Sequence, residues 1–296
     1  MIDRESTFAD KEIVNFLQSR VIPVAIDQWF QRRQKDSEGD FYRRIASQGP
    51  RHDFESGTTQ GLYMASADGT FLGYTNNRSP ERVKEMLRQA MLKFRPVATE
   101  QLTVEREDPR YTLTAPTGGL IVRVQAKVMG GYEETDDVMK QIFQTALSRD
   151  NLWVSQSEHS AIAAGRFPKS LALRIARFHL VDNTRGEPPM WRESEVVKTN
   201  FEIDGTVVRG HAELSTASGD RSYSVDLLGE LRTEDGKVVE WNMVASGSFF
   251  GDGRYTRGAP QGKFPLAISF TLADGNDIAD DIPPQGSRGW LRGYLP

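Results

Sequence analysis

The chain contains no cysteine among its 296 residues, and this removes the most reactive side chain from its chemistry. Thiol–disulfide exchange, thiolate metal sites, iron–sulfur clusters and cysteine nucleophiles all need a thiolate. Four histidines are present, His52, His159, His179 and His211, and no pair has HxxxH or HExxH spacing. Each reads as a surface or structural residue, and neither a metal nor a cofactor is expected. No GxSxG elbow occurs, and Ser246-Gly247-Ser248 reads as a turn or bulge at the end of a strand. The glycines from Gly247 to Arg254 lack GxGxxG spacing and a following helix. Backbone N–H groups are therefore not presented to a phosphate, and the segment reads as a wide surface loop.

Charged loops are the remaining candidates. Asp182-Asn183-Thr184-Arg185-Gly186-Glu187-Pro188-Pro189-Met190-Trp191 is dense in hydrogen-bonding groups. As a binding loop it offers Arg185 and Glu187 as charged contacts and Trp191 as an apolar platform. As a connector it is stiffened by two prolines, with Trp191 plugging the core. A second loop, Gly251 to Gly258, carries Asp252, Arg254, Tyr255 and Arg257. If the loops meet, Arg185, Arg254 and Arg257 make an anion pocket; otherwise they are solvated. Near the N-terminus, Trp29 and Phe30 form either an exposed aromatic anchor or part of the packing under the next helix.

The elements that position these residues follow from periodicity. Phe8–Arg20 reads as a helix capped by Thr7. Val21-Ile22-Pro23-Val24-Ala25-Ile26 reads as a buried strand, with Pro23 limiting its pairing. A polar stretch runs from Asp27 to Gly39, and Phe41–Gln48 reads as a helical turn. Gly61–Ala65 and Thr70–Tyr74 flank Asp68-Gly69, a hairpin signal. Pro80 opens a helix after Ser79, and Val83, Met86, Leu87, Ala90, Met91 and Phe94 give it an apolar stripe. Glu100–Arg110 reads as a connector. Beyond it come a strand at Leu120–Met129 and helices at Thr135–Leu147, Ser155–Ala164 and Pro168–Leu180. The period then becomes two, with strands at 196–203, 207–214, 223–232, 238–247 and 266–272. Asp204-Gly205, Ser218-Gly219-Asp220 and Asp235-Gly236 punctuate them as turns, and Pro283-Pro284 and Gly286 suggest a loose tail.

Residues Glu5–Ile13 leading to Val21–Asp27, with the Gly61–Tyr74 hairpin and the Pro80–Phe94 helix, resemble the spermatogenesis-associated-type thioredoxin-like family. The resemblance covers about residues 5–95. In that family a CxxC pair precedes the first of these helices, and a cis-proline precedes the hairpin. Here the first is missing, and the second position reads Thr58-Thr59-Gln60. A cis bond without proline costs about 2.5–4 kcal/mol, so a trans bond is expected. The resemblance implies a fold and a partner-facing surface, not an activity.

Together these readings predict an α/β thioredoxin-like domain over 1–98. They predict an α+β region over 99–296, whose antiparallel sheet forms a sandwich or an open barrel. The expected function is redox-inactive binding or scaffolding, with a protein or small-molecule partner. The alternative is a non-thiol enzyme with its site in loops 180–260. The net charge of −4, from 37 basic and 41 acidic residues, is interspersed, which argues against nucleic acid. No apolar run reaches the ~20 residues of a membrane span, and Met1 onward lacks a signal peptide. The expected location is the cytoplasm, or outside the cell if the true start lies upstream.

Overall fold

The computed structural model describes residues 6–97, 114–284 and 294–295. The chain divides into two compact units, one within Asp3–Leu113 and the other within Thr114–Pro296. The expected boundary at 98/99, the Glu100–Arg110 connector and Gly286 lie outside the described residues.

In the N-terminal unit, helix α1 is Lys11–Arg20, shorter than expected and capped by a different residue. The Asp10 carboxylate accepts from the N–H groups of Glu12 and Ile13 at 2.9 and 3.1 Å. Thr7 instead begins a 3-10 turn and donates its buried hydroxyl to the Arg78 carbonyl, 2.9 Å away. The expected buried strand at Val21–Ile26 is overturned: the segment is irregular, with Ile22 90% and Val24 74% exposed. An apolar run supplies no ladder by itself, and among the described residues no strand of this unit pairs with it. Helix α2 is Gln28–Gln31 and helix α3 is Ser37–Ser47. The latter starts upstream of the expected turn because Asp36 caps it, accepting from the Gly39 N–H at 2.9 Å.

Strands β1, Leu62–Ala65, and β2, Phe71–Thr75, form the expected antiparallel hairpin. Asp68 tightens its turn by accepting from the Ser66 hydroxyl and the Thr70 N–H. A two-stranded ribbon is marginal alone in water, and helix α4, Pro80–Lys93, covers it. Val83, Leu87 and Ala90 of α4 join Ile13, Met64 and Leu72 in one core. Gly73 permits the close approach, since a Cβ there would meet Met86 Sδ at 3.1 Å and Ala90 Cβ at 3.3 Å. Among the described residues no peptide bond is cis.

The C-terminal unit is built on a seven-stranded antiparallel sheet in the order β4-β3-β9-β8-β7-β6-β5. Its strands are β3, Leu120–Val128; β4, Asp150–Val154; β5, Val196–Asp204; β6, Val207–Ser215; β7, Ser222–Glu234; β8, Lys237–Phe250; and β9, Lys263–Leu272. The sheet curls into a half-barrel rather than splitting into a sandwich. Period-two alternation is plain in β7: Tyr223, Val225, Leu227 and Leu231 are buried, while Ser224, Asp226, Leu228 and Glu230 are exposed. Ser246-Gly247-Ser248 is regular strand, opposite Asp226, Val225 and Ser224, not the expected turn. A Cβ at Gly247 would lie 2.1 Å from the Ser224 carbonyl, which explains the glycine within the ladder. The wide loop accordingly begins after Phe250.

Helices α5, Val138–Thr145, α6, Gln156–Ala163, and α7, Lys169–Arg174, complete this unit. Helix α6 packs on β8 and α7 on β5. Helix α7 widens into a π-turn at Ile175–His179, closed by the Leu180 N–H on the Ile175 carbonyl at 2.9 Å. No helix among the described residues is long and apolar enough to cross a membrane.

Candidate functional site

The two charged loops of the C-terminal unit do meet. The Arg185 Nε donates to the Thr256 carbonyl at 3.0 Å. A Cβ on Gly186 would strike the Tyr255 carbonyl at 2.1 Å, and one on Gly253 would strike Pro189 at 2.3 Å. The Asp182–Arg185 pair faces inward, however. Arg185 and Asp182 are each 3% exposed and paired to one another. Arg185 also donates to the Tyr132 hydroxyl at 2.8 Å, and Asp182 accepts from the Thr184 hydroxyl at 2.7 Å. A guanidinium so occupied has no fork left for an anion. Burial pushes the Tyr132 phenol above its ordinary range.

Trp191 is the core plug and not the platform. It is 1% exposed, its Nε1 donates to the Leu180 carbonyl at 2.8 Å, and Phe249 lies 6.3 Å away centroid to centroid. The Arg221 guanidinium lies 3.8 Å over its ring and donates to the Pro189 and Met190 carbonyls. Glu187, Asp252, Arg254 and Arg257 are exposed, and Arg254 lies 5.4 Å from the centre of the Tyr255 ring. The anion pocket of Arg185, Arg254 and Arg257 is therefore not assembled: one member is inside and two are outside. In the N-terminal unit the aromatic pair divides, with Phe30 buried and Trp29 43% exposed beneath Arg33, whose guanidinium lies 4.6 Å from the ring centre.

Two buried polar groups escaped the reading of the sequence. Glu158, in α6, receives Arg174 Nη1 at 2.7 Å, Arg174 Nη2 at 2.8 Å and the Ser170 hydroxyl at 2.8 Å. Burial pushes its carboxyl up, but Arg174 and these hydrogen bonds outweigh it and hold the group below the usual range. Arg174 continues to the carbonyls of Trp153 and Tyr294. Beside it, His179 Nδ1 lies 3.1 Å from the Asp150 carboxylate and Nε2 lies 2.5 Å from the Tyr294 hydroxyl. Burial, and then the Asp150 charge, push the Tyr294 phenol well up. The His179 Nδ1 makes no hydrogen bond among the described residues, so the three groups do not form a continuous proton relay. All three residues are buried, at 8%, 2% and 2% exposure, so no substrate reaches them as they stand.

What this cluster does is close an edge. Among the described residues no strand lies beyond β4. The Trp153 N–H donates to the Tyr294 hydroxyl at 3.4 Å, and its carbonyl accepts from Arg174 at 3.1 Å. An edge strand whose backbone is met by side chains cannot template another strand. The sequence held a partial signal in Ser155-x-x-Glu158, a capping box that forms at α6. Nothing local marked Asp150, His179 and Tyr294 as neighbours.

Elsewhere, Asp280 takes Arg123 and Arg149 together, with Asp274 on Arg123 and Asp277 on Arg149. On the outer face His211 sits 2.7 Å from Asp226 and 3.1 Å from Glu213. Among the described residues no group of three His, Asp or Glu side chains is placed to hold a metal ion. In the N-terminal unit a shallow groove of about 470 Å³ runs between β2 and α4, past Phe71, Tyr74, Arg82, Met86 and Lys93.

No family model matches the chain, no curated protein matches it, and no solved structure matches it.

Proposed function

We propose that this chain is a redox-inactive binding protein whose N-terminal unit is thioredoxin-like and receives a polypeptide partner. The observation that carries the reading is the exposed apolar segment Ile22, Val24 and Ile26 beside the half-exposed Trp29. Among the described residues, 22–26 make no hydrogen bond through backbone or side chain. Exposed β-branched side chains on a backbone with unused donors and acceptors are what strand addition requires. Support for the thioredoxin-like arrangement is the order α1, apolar segment, α2 and α3, β1–β2 hairpin, and α4 across the hairpin. The absence of cysteine separates such a unit from thiol chemistry.

The alternative, a non-thiol enzyme working through loops 180–260, has less support. It needs Asp182, Arg185, Glu187, Asp252 and Arg254 to face one accessible cleft, and the first two are spent on each other.

The test uses a fluorescent peptide of alternating valine and threonine, read by anisotropy against the full chain. Binding is expected and should be lost in Val24→Asp, while insulin reduction stays at background. No binding, or binding indifferent to Val24, would refute the reading.

A further inference from the structure

We infer that the partner at Ile22–Ile26 is a second copy of this chain, added antiparallel about a two-fold axis at Val24. The inference rests on the binding reading above and specifies its occupant.

The backbone leaves the segment extended at both ends, with φ −141° and ψ 169° at Val21 and φ −84° and ψ 99° at Asp27. In an extended chain the N–H and C=O groups of Ile22, Val24 and Ile26 face one side, and those of Pro23 and Ala25 face the other. Pro23 has no N–H to give. The side bearing Ile22, Val24 and Ile26 therefore keeps every donor, and only that side builds an uninterrupted ladder. The same three residues share one side-chain face, so hydrogen bonding and apolar contact are offered by one set.

Direction follows from the flanks. Arg20, the last residue of α1, precedes the segment, and Asp27, whose carboxylate also caps α2 by accepting from the Trp29 N–H at 2.9 Å, follows it. Arg20 is exposed and makes no ion pair. An antiparallel pair sets the basic flank of each copy beside the acidic flank of the other, whereas a parallel pair sets Arg20 beside Arg20. Full overlap of the three apolar residues then places Val24 opposite Val24, and Ile22 opposite Ile26 of the other copy. Such an isologous contact closes at two copies.

The absence of native cysteine gives a direct test, because any introduced thiol is the only one. Across a hydrogen-bonded antiparallel pair the Cα atoms are about 5.5 Å apart, within the range a disulfide spans. Residue 22 of one copy would lie about 14 Å from residue 22 of the other, beyond that range. The full chain carrying Val24→Cys is expected to form a covalent dimer on mild oxidation at least about tenfold faster than Ile22→Cys. The Ile22→Cys/Ile26→Cys double variant should also cross-link. Sedimentation of the unmodified chain should show a dimer, and Val24→Pro, which removes the central N–H, should be a folded monomer by circular dichroism. Equal cross-linking of Val24→Cys and Ile22→Cys would overturn the inference. So would a chain that stays monomeric at every concentration. If that monomer still bound the valine–threonine peptide in a Val24-dependent way, the binding reading would stand and only the identity of the partner would fall. With peptide binding also absent, both would fall.

Discussion

Replacing Glu158 by glutamine keeps the size of the side chain and removes its charge. In the native protein that carboxylate and the Arg174 guanidinium are both 3% exposed and 2.7 Å apart. Glutamine leaves the guanidinium buried opposite a neutral amide, a loss of about 3–5 kcal/mol for one member of a buried pair. Arg174→Met produces the opposite orphan, a carboxylate served only by Ser155 and Ser170, at a similar cost of about 3–5 kcal/mol. Removing both charges relieves each orphan. It still strips the Trp153 and Tyr294 carbonyls of their donor, about 1–3 kcal/mol for each buried group left unpaired. The single changes thus sum to about 6–10 kcal/mol, and the double variant falls short of that sum by roughly 4 kcal/mol at the middle of these ranges.

Urea unfolding followed through Trp153, Trp191 and Trp241, all in this unit, measures each corner of the cycle. Acid adds an independent reading. The Glu158 carboxyl is held below its ordinary value of 4.5, so its contribution is present above that pH. It is lost as pH falls through the depressed value, and Glu158→Gln should lack that component of acid sensitivity. A Glu158→Gln cost below about 1 kcal/mol, the range of exposed pairs, or singles that simply add, would refute the description of this pair as buried and coupled.

Trp191→Ala should destabilise the C-terminal unit by about 3–5 kcal/mol, since it opens a cavity beneath Arg221 and beside Phe249; an unchanged urea midpoint would return Trp191 to the role of a surface platform. His211 is held above its ordinary 6.5 first by Asp226 and then by Glu213. Its stabilising contribution is therefore complete below about pH 6.5 and declines as pH rises through the elevated value. His211→Gln should flatten the stability profile across that interval, and an unaltered slope would count against the contact.

Much of the architecture was legible because local chemistry and tertiary demand agree. Asp68-Gly69, Asp204-Gly205 and Asp235-Gly236 each turn a hairpin, and Pro80 with its 3.6-period stripe starts α4 where the core needs it. The apolar run Val21–Ile26 misled for a physical reason. Hydrophobic β-branched residues specify what a segment would do if a neighbouring strand were offered, and neither strand of the hairpin offers itself. Ser246-Gly247-Ser248 misled in the other direction. Its glycine answers to a carbonyl on β7, a neighbour that no window along the sequence contains. The candidate loops show the same division. Their composition marked two charged segments but left open whether they meet, and whether Arg185 and Trp191 point to water or to the core is decided by residues far away in sequence. Strand β4 was missed because five residues carry too little period, and because Arg174 and Tyr294 guard it from 21 and 141 positions downstream of Trp153.

The wide turn at Ile175–His179 absorbs a residue without turning the chain aside. An α-helix advances about 100° per residue, and a turn closed five residues on rather than four spreads nearly the same sweep over one residue more. An amino acid gained or lost there is taken up inside the turn, where Ile175, Ala176 and Phe178 are buried, while the stretch from Asp182 to Trp191 keeps its bearing. The seal at the sheet margin and the tryptophan anchor thereby tolerate a change of length that an even helix would pass on to both.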